Sequence, residues 1–307
     1  MTWPVKVDRE SGKRVILWGI ATLSLLLSLY RHNAMVLLGK TFELLSGNLG
    51  YSSSLGGLFL VSFFLLLRWD EFNLILSQER GYTSMLPRRL FGLAVTLFPL
   101  VFMRNTELLP RHQYLHASAM MVFLVGYGAT LIITPTLWKI LLPYTALSVM
   151  TFLSPALIQS TLGDVFIDIS AILTRLVLGL SGAGVIWNGN EAAFISRSGE
   201  AVKLMIDRGC SSIPAISIFL LLMGLMHLDQ KKDLGSTLKM ASFGTVALIL
   251  VNSVKLAFTI WAGKVYGSSA LWSLHSWLGY IFFTGFYMVA LLAYLRMSNS
   301  RRLRGDA

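Results

Sequence analysis

Residues 207–223 read Asp-Arg-Gly-Cys-Ser-Ser-Ile-Pro-Ala-Ile-Ser-Ile-Phe-Leu-Leu-Leu-Met. A polar segment ends here and an apolar helix begins. Cys210, the only cysteine among 307 residues, stands at the join. At such a place a thiol lies at a membrane surface beside the partial positive charge of a helix N-terminus, a setting that suits thiolate chemistry.

The rest of the chain makes the membrane explicit. Hydrophobic residues account for 55% of it and charged ones for 13%, with a mean hydropathy of +0.66. Apolar runs recur at lengths suited to a hydrocarbon core of about 30 Å, which takes roughly 20 helical residues to cross. Backbone groups in lipid must be satisfied within their own segment, so the fold class expected is an all-α polytopic membrane protein. The net charge of +11 does not point to nucleic acid, because the basic residues cluster in short loops between apolar runs. That is the positive-inside pattern, supplemented by contact with anionic lipid. A single cysteine excludes an internal disulfide and any multi-cysteine metal cluster. The first apolar run is followed by Tyr30-Arg31-His32 rather than a small-residue cleavage site, so no cleavable signal peptide is expected.

About eight transmembrane helices are expected, over 15–30, 53–67, 90–103, 114–133, 140–153, 212–226, 240–262 and 271–295. Both termini then fall on the cytoplasmic side of an inner membrane, with Lys6, Arg9, Lys13 and Arg14 before the first span and Arg296, Arg301, Arg302 and Arg304 after the last. Arg68, Arg80, Arg88 and Arg89 mark a long inner loop, and Arg104 to His112 an outer one. The fifth span is expected to end at Ser154-Pro155, where proline punctuates the helix. Over 156–180, Asp164, Asp168 and Arg175 recur at spacings of four and seven, which predicts an amphipathic helix on the outer surface. Over 185–206, short strand-like runs alternate with the turn signals Asn188-Gly189-Asn190 and Ser196-Arg197-Ser198-Gly199, which predicts a small extracytoplasmic β-meander. The expected organisation is one integral membrane domain over 1–307. Its N-terminal spans occupy 15–133, and a core over 138–295 carries an extracytoplasmic insert over 156–210.

Three reactive side chains then fall at one leaflet. Cys210 opens the sixth span, Lys255 lies in the outer half of the seventh with its ammonium snorkelling toward that face, and His275 opens the eighth. The shared chemistry is nucleophilic acyl transfer. Cys210 attacks a peptide carbonyl, His275 moves protons, and Lys255 with backbone amides supports the tetrahedral oxyanion. Arg208, Ser211 and Asn252 are supporting candidates, Arg208 by holding thiolate charge. An intramembrane lysine costs about 2.5–3.5 kcal/mol at the centre of a span, which makes Lys255 an informative candidate, with snorkelling alone as the structural alternative. His112 and His116 have the i,i+4 spacing of metal ligands but no acidic partner in register. Neither a metal nor another cofactor is expected.

From Trp138 to Tyr294 the chain resembles the exosortase/archaeosortase family of multi-spanning cysteine transpeptidases. The family pattern has Cys-Ser-Gly at the start of one span, Asn-x-x-Arg in the next and a histidine opening the third; those positions here read Cys210-Ser211-Ser212, Asn252-Ser253-Val254-Lys255 and His275. Lys255 stands where the family has arginine. Ser212 and Pro214 replace its glycine and basic residue. The resemblance implies an enzyme that cleaves C-terminal sorting signals, made of a short motif such as Pro-Glu-Pro, a transmembrane helix and a basic tail. Exported tail-anchored proteins would be its substrates, through a thioester acyl-enzyme at the outer membrane face. Family association links this to exopolysaccharide production. The altered motif motivates an alternative, a non-enzymatic membrane accessory or scaffold protein in exopolysaccharide export. A transporter is disfavoured, since no matching pair of broken helices is visible.

Overall fold

The computed structural model describes residues 17, 20, 24, 28–31, 35, 38–39, 53–77, 86–103, 111–230 and 232–305. The segment 1–14, most of the expected first span, and the loops carrying Lys40, Glu43, Arg80 and Arg104 to Glu107 lie outside them. Among the described residues, the helices with both ends defined are α1 (Ser53–Leu67), α2 (Trp69–Ser77), α3 (Leu86–Met103), α4 (Arg111–Ile133), α5 (Trp138–Leu180), α6 (Ile213–Gln230), α7 (Leu234–Tyr266) and α8 (Ser268–Gly305). Strands β1 (Ile186–Asn188), β2 (Glu191–Ile195) and β3 (Ala201–Met205) lie between α5 and α6, followed by a 3-10 turn over Arg208–Cys210. Among the described residues, four stretches are long and apolar enough to cross a membrane: Pro135–Leu180, Arg208–Gln230, Leu234–Tyr266 and Ser268–Met297. Gly56–Leu67 and Ala117–Ile133 are shorter apolar helices. The chain is thus a mostly helical, polytopic membrane protein.

The chain divides into two compact units, one comprising Met1–Leu45 and Ser54–Leu153 and the other Ser46–Ser53 and Ser154–Ala307. In the first, α3 and α4 cross at paired glycines. A Cβ on Gly92 would come within 2.6 Å of the Leu131 Cβ, and one on Gly128 within 2.7 Å of the Gly92 carbonyl. Small residues permit this close approach where lipid offers no hydrophobic drive for helices to associate. Tyr30 adds a buried anchor, its hydroxyl donating to the Thr96 carbonyl at 2.6 Å.

One expectation is corrected. Ser154-Pro155 does not end a helix: α5 runs unbroken for 43 residues from Trp138 to Leu180. Proline removes a single backbone donor, and the apolar sequence on both sides favours continuation where no water competes for backbone groups. At 1.5 Å per residue α5 is about 65 Å long, roughly twice the hydrocarbon thickness. The amphipathic segment therefore exists as the continuation of a spanning helix. Gly163, Ile167, Ser170, Ala171, Thr174 and Leu178 form its buried stripe. Asp164, Asp168 and Arg175 lie exposed along one edge of it, within an arc of roughly 40°.

In the second unit α6 is the most enclosed helix, with Ile213, Ala215 to Phe219, Leu221 to Met223, Leu225 and Met226 all buried. An apolar helix buried all round is the expected centre of such a unit. Phe219 lies edge-on to Phe286 of α8 at 5.5 Å and fills the place of a side chain at Gly244 of α7. The expected meander forms as a three-stranded antiparallel sheet in the order β1-β2-β3. Its β1–β2 register pairs Asn188 with Glu191 around a two-residue turn in which Gly189 has φ +57, a conformation that favours glycine. Alternation puts Ala192, Phe194, Val202 and Leu204 on one face, packed with Leu178 of α5, Ala257 and Ile260 of α7 and Leu271 of α8.

The β2–β3 turn fastens the corner between α7 and α8. The Arg197 amide donates to the Lys264 carbonyl at 2.9 Å, and the Glu200 carboxylate accepts from the Ser268 amide at 3.1 Å. Between them Gly267, at φ +91, turns the chain. This fixes the start of α8, two turns before His275.

Candidate active site

Cys210 closes a 3-10 turn whose shape is set by its neighbours. The Asp207 carboxylate accepts from the Cys210 amide at 3.0 Å, and the Ser211 hydroxyl donates to the Arg208 carbonyl at 2.7 Å. Both are short-range side-chain caps of the kind Asp and Ser favour at helix entries. The thiol is buried, 8% exposed, in a cluster with Ile167 and Ala171 of α5, Ile206, and Leu256 of α7. Trp187 of the meander packs on this cluster, with the Arg175 guanidinium 5.1 Å above its ring.

From α7, Asn252 reaches across to the same turn. Its carboxamide Nδ2 donates to the Cys210 carbonyl at 2.9 Å. One helical turn on, Lys255 is within electrostatic range of the thiol. The expectation that its ammonium snorkels outward is corrected. Lys255 is only 6% exposed, and its Nζ lies over the face of Phe283 of α8, 5.4 Å from the ring centroid. The ring's negative face offers the cation a partner that the apolar surroundings otherwise lack.

His275 lies on α8 with the Trp272 ring edge-on at 6.2 Å. It is in electrostatic range of Lys255 and Asp207, and its Nδ1 is buried without a hydrogen-bond partner. Cys210, Lys255, His275 and Asn252 therefore converge from the turn before α6, from α7 and from α8. Among the described residues no hydrogen bond joins the first three side chains to one another. Arg208 does not converge. Its guanidinium lies 3.7 Å from Asp164 on α5, with both side chains more than half exposed. Ser211 spends its hydroxyl on its own turn.

Two residues near the thiol were not read from the sequence as site residues. Asp207 shapes the turn; the legible sign was an aspartate three residues before the cysteine, in N-cap position. Ser212 is completely buried with an unpartnered hydroxyl; the sequence showed it only as the residue in place of the family's glycine, with no sign of a role of its own. The side chains of His112 and His116 lie outside those described. Among the described residues no group of three or more His, Cys, Asp or Glu could hold a metal.

A bundle of apolar helices that brings a lone thiol, an ammonium and an imidazole together beside a small sheet defines a polytopic membrane protein with a buried polar site. The model of the transmembrane exosortase family (Exosortase_EpsH) matches residues 46–293, and the chain belongs to that family. No curated protein and no solved structure matches it.

Proposed function

We propose that the protein is a membrane-embedded cysteine protease or transpeptidase that cleaves C-terminal sorting signals of exported proteins at the outer face of the inner membrane. The observation that carries the reading is the tie from Asn252 to the Cys210 carbonyl, with Lys255 buried one turn further along the same helix. A membrane helix retains such a cation at a cost, so its burial beside the only thiol argues for chemistry. Cys210 Sγ bonds to the scissile carbonyl carbon, and Lys255 offsets the charge that develops on oxygen. The C–N bond then breaks, the amine leaves with a proton passed by His275, and a thioester remains. Water or an acceptor amine attacks that thioester and releases Cys210. Substrates fitting this reading carry a short motif, a transmembrane helix and a basic tail. The N- and C-termini are cytoplasmic in this reading, and the whole chain acts as one membrane domain.

The test is co-expression of the full chain with a tail-anchored reporter bearing such a signal. Wild type is expected to process it, and Cys210→Ala to stop processing while remaining folded in the membrane. A Cys210→Ala protein that processes normally overturns the reading and leaves the scaffold role.

A further inference from the structure

Buried hydroxyls in these helices usually donate to the carbonyl four residues earlier, as Ser217 does to Ile213, Ser253 to Ile249 and Thr259 to Lys255. Ser212 does not. Its residue is 0% exposed and its Oγ has no partner. Asn252 is 1% exposed. Its Nδ2 is committed to Cys210, which fixes the carboxamide, and its Oδ1 is left without a donor. Buried polar atoms are ordinarily satisfied, more so in a membrane, so an unmatched donor and acceptor beside one thiol call for a ligand that supplies both.

Geometry narrows the ligand. Asn252 Oδ1 shares a carbon with Nδ2, which is 2.9 Å from the Cys210 carbonyl oxygen, so covalent dimensions hold it within about 5 Å of that oxygen. Ser211 is extended, at φ −71 and ψ 158, which sets the Ser212 Cα roughly 7 Å from that of Cys210. The hydroxyl can donate; the carboxamide oxygen can only accept. A carboxylate or phosphate would meet an acceptor at Asn252, and an ester would offer it no donor. A peptide group offers one carbonyl and one N–H.

We propose that Ser212 Oγ and Asn252 Oδ1 form a peptide-backbone subsite beside Cys210, the serine donating to a substrate carbonyl and the asparagine accepting from a substrate N–H. The inference rests on the thiol chemistry proposed above and adds what the thiol's neighbours read. Its ligand class is an extended peptide, recognised through its backbone.

The experiment uses the detergent-purified full chain and two mixed-sequence pools of N-acetyl tripeptide aldehydes, one with natural amides and one with backbone N-methylation. An aldehyde bound at the site forms a thiohemiacetal: Cys210 Sγ bonds to the aldehyde carbon, the carbonyl π electrons go to oxygen, and the thiol proton ends there. Protection of Cys210 from iodoacetamide reports it. The amide pool is expected to protect wild type at concentrations on the order of tenfold lower than the N-methylated pool. Ser212→Ala is expected to weaken protection by the amide pool about tenfold, Ser212→Thr to restore it, and the Tm of Ser212→Ala to stay level or rise, because the hydroxyl it removes had no partner. The N-methylated pool probes the Asn252 contact without a substitution that would also cut its link to Cys210. Equal protection by both pools, or a Ser212→Ala protein that still prefers amides as wild type does, overturns the subsite and leaves the thiol chemistry standing. If neither pool protects Cys210, both fall.

Discussion

The Asn252 carboxamide donates to the backbone carbonyl of Cys210 at 2.9 Å, joining positions 42 residues apart in sequence. The bond holds the nucleophile's turn against α7, so the thiol's position depends on a helix that contributes no nucleophile. Asn252→Ala is expected to destabilise the protein by about 1 kcal/mol, near the upper part of the range for hydrogen bonds between membrane helices. It should lower reporter processing much further, because the turn is released. Asn252→Asp should do worse, since a carboxylate cannot donate and would face the carbonyl with like polarity. Thermal unfolding in detergent, read beside processing rates, separates the two losses.

Arg208 gives the opposite expectation. Its guanidinium lies against Asp164 at the surface, with side-chain exposures of 53% and 89%. Exposed pairs of this kind contribute about 0–1 kcal/mol. Arg208→Ala is expected to change Tm by no more than a degree or two and processing by less than about threefold. A large loss of activity at unchanged Tm would instead assign the guanidinium a direct part in the chemistry.

Glu200 offers a pH test outside the membrane spans. The Ser268 hydroxyl and backbone amide hold its carboxyl below the usual carboxylate range. A carboxylate whose folded pKa is depressed contributes stability at pH above its unfolded value of about 4.5, and that contribution is lost as pH falls through the lower, folded value. Wild type is therefore expected to melt above Glu200→Gln near neutral pH, with the gap closing in acid. Melting curves between pH 3 and 7 check it. A gap independent of pH would mean that the carboxylate charge is not what fastens the start of α8.

Much of this arrangement was legible in the chain. The period-two alternation of Val202 and Leu204 announced β3, and the apolar run after Ser212 announced α6, because burial on one face or on all faces leaves a pattern in composition. The cysteine, lysine and histidine stood out because each is expensive or rare where it lies. Three features were not legible. Pro155 is a helix terminator in water but a tolerated interruption in lipid, so local sequence could not choose between them. The partner of Lys255 is an aromatic face from α8, Phe283, indistinguishable in sequence from any other packing phenylalanine. Arg208 could turn toward either the thiol or Asp164, and the choice was made by α5, whose continuation past Pro155 brings Asp164 alongside.

Lys255 decides between enzyme and scaffold most sharply. Its ammonium is buried over the Phe283 ring and within electrostatic range of Cys210, so removing the charge removes a desolvation cost together with any catalytic benefit. Lys255→Met keeps most of the volume and replaces a buried cation by a flexible apolar chain. If the charge serves only packing, the variant should be neutral to stabilising and fully functional. If it supports an oxyanion, processing should fall by about 10²–10³-fold in kcat, the scale of losing one oxyanion donor, while Tm holds or rises. Lys255→Arg restores charge with a planar fork in place of a point charge. It is expected to recover more than Lys255→Met and less than wild type, because the longer group must displace itself from Phe283 to reach the same place. Single-turnover processing by the three proteins, each normalised to its folded fraction, gives the ordering. Equal rates for lysine and methionine would remove the ammonium from the reaction.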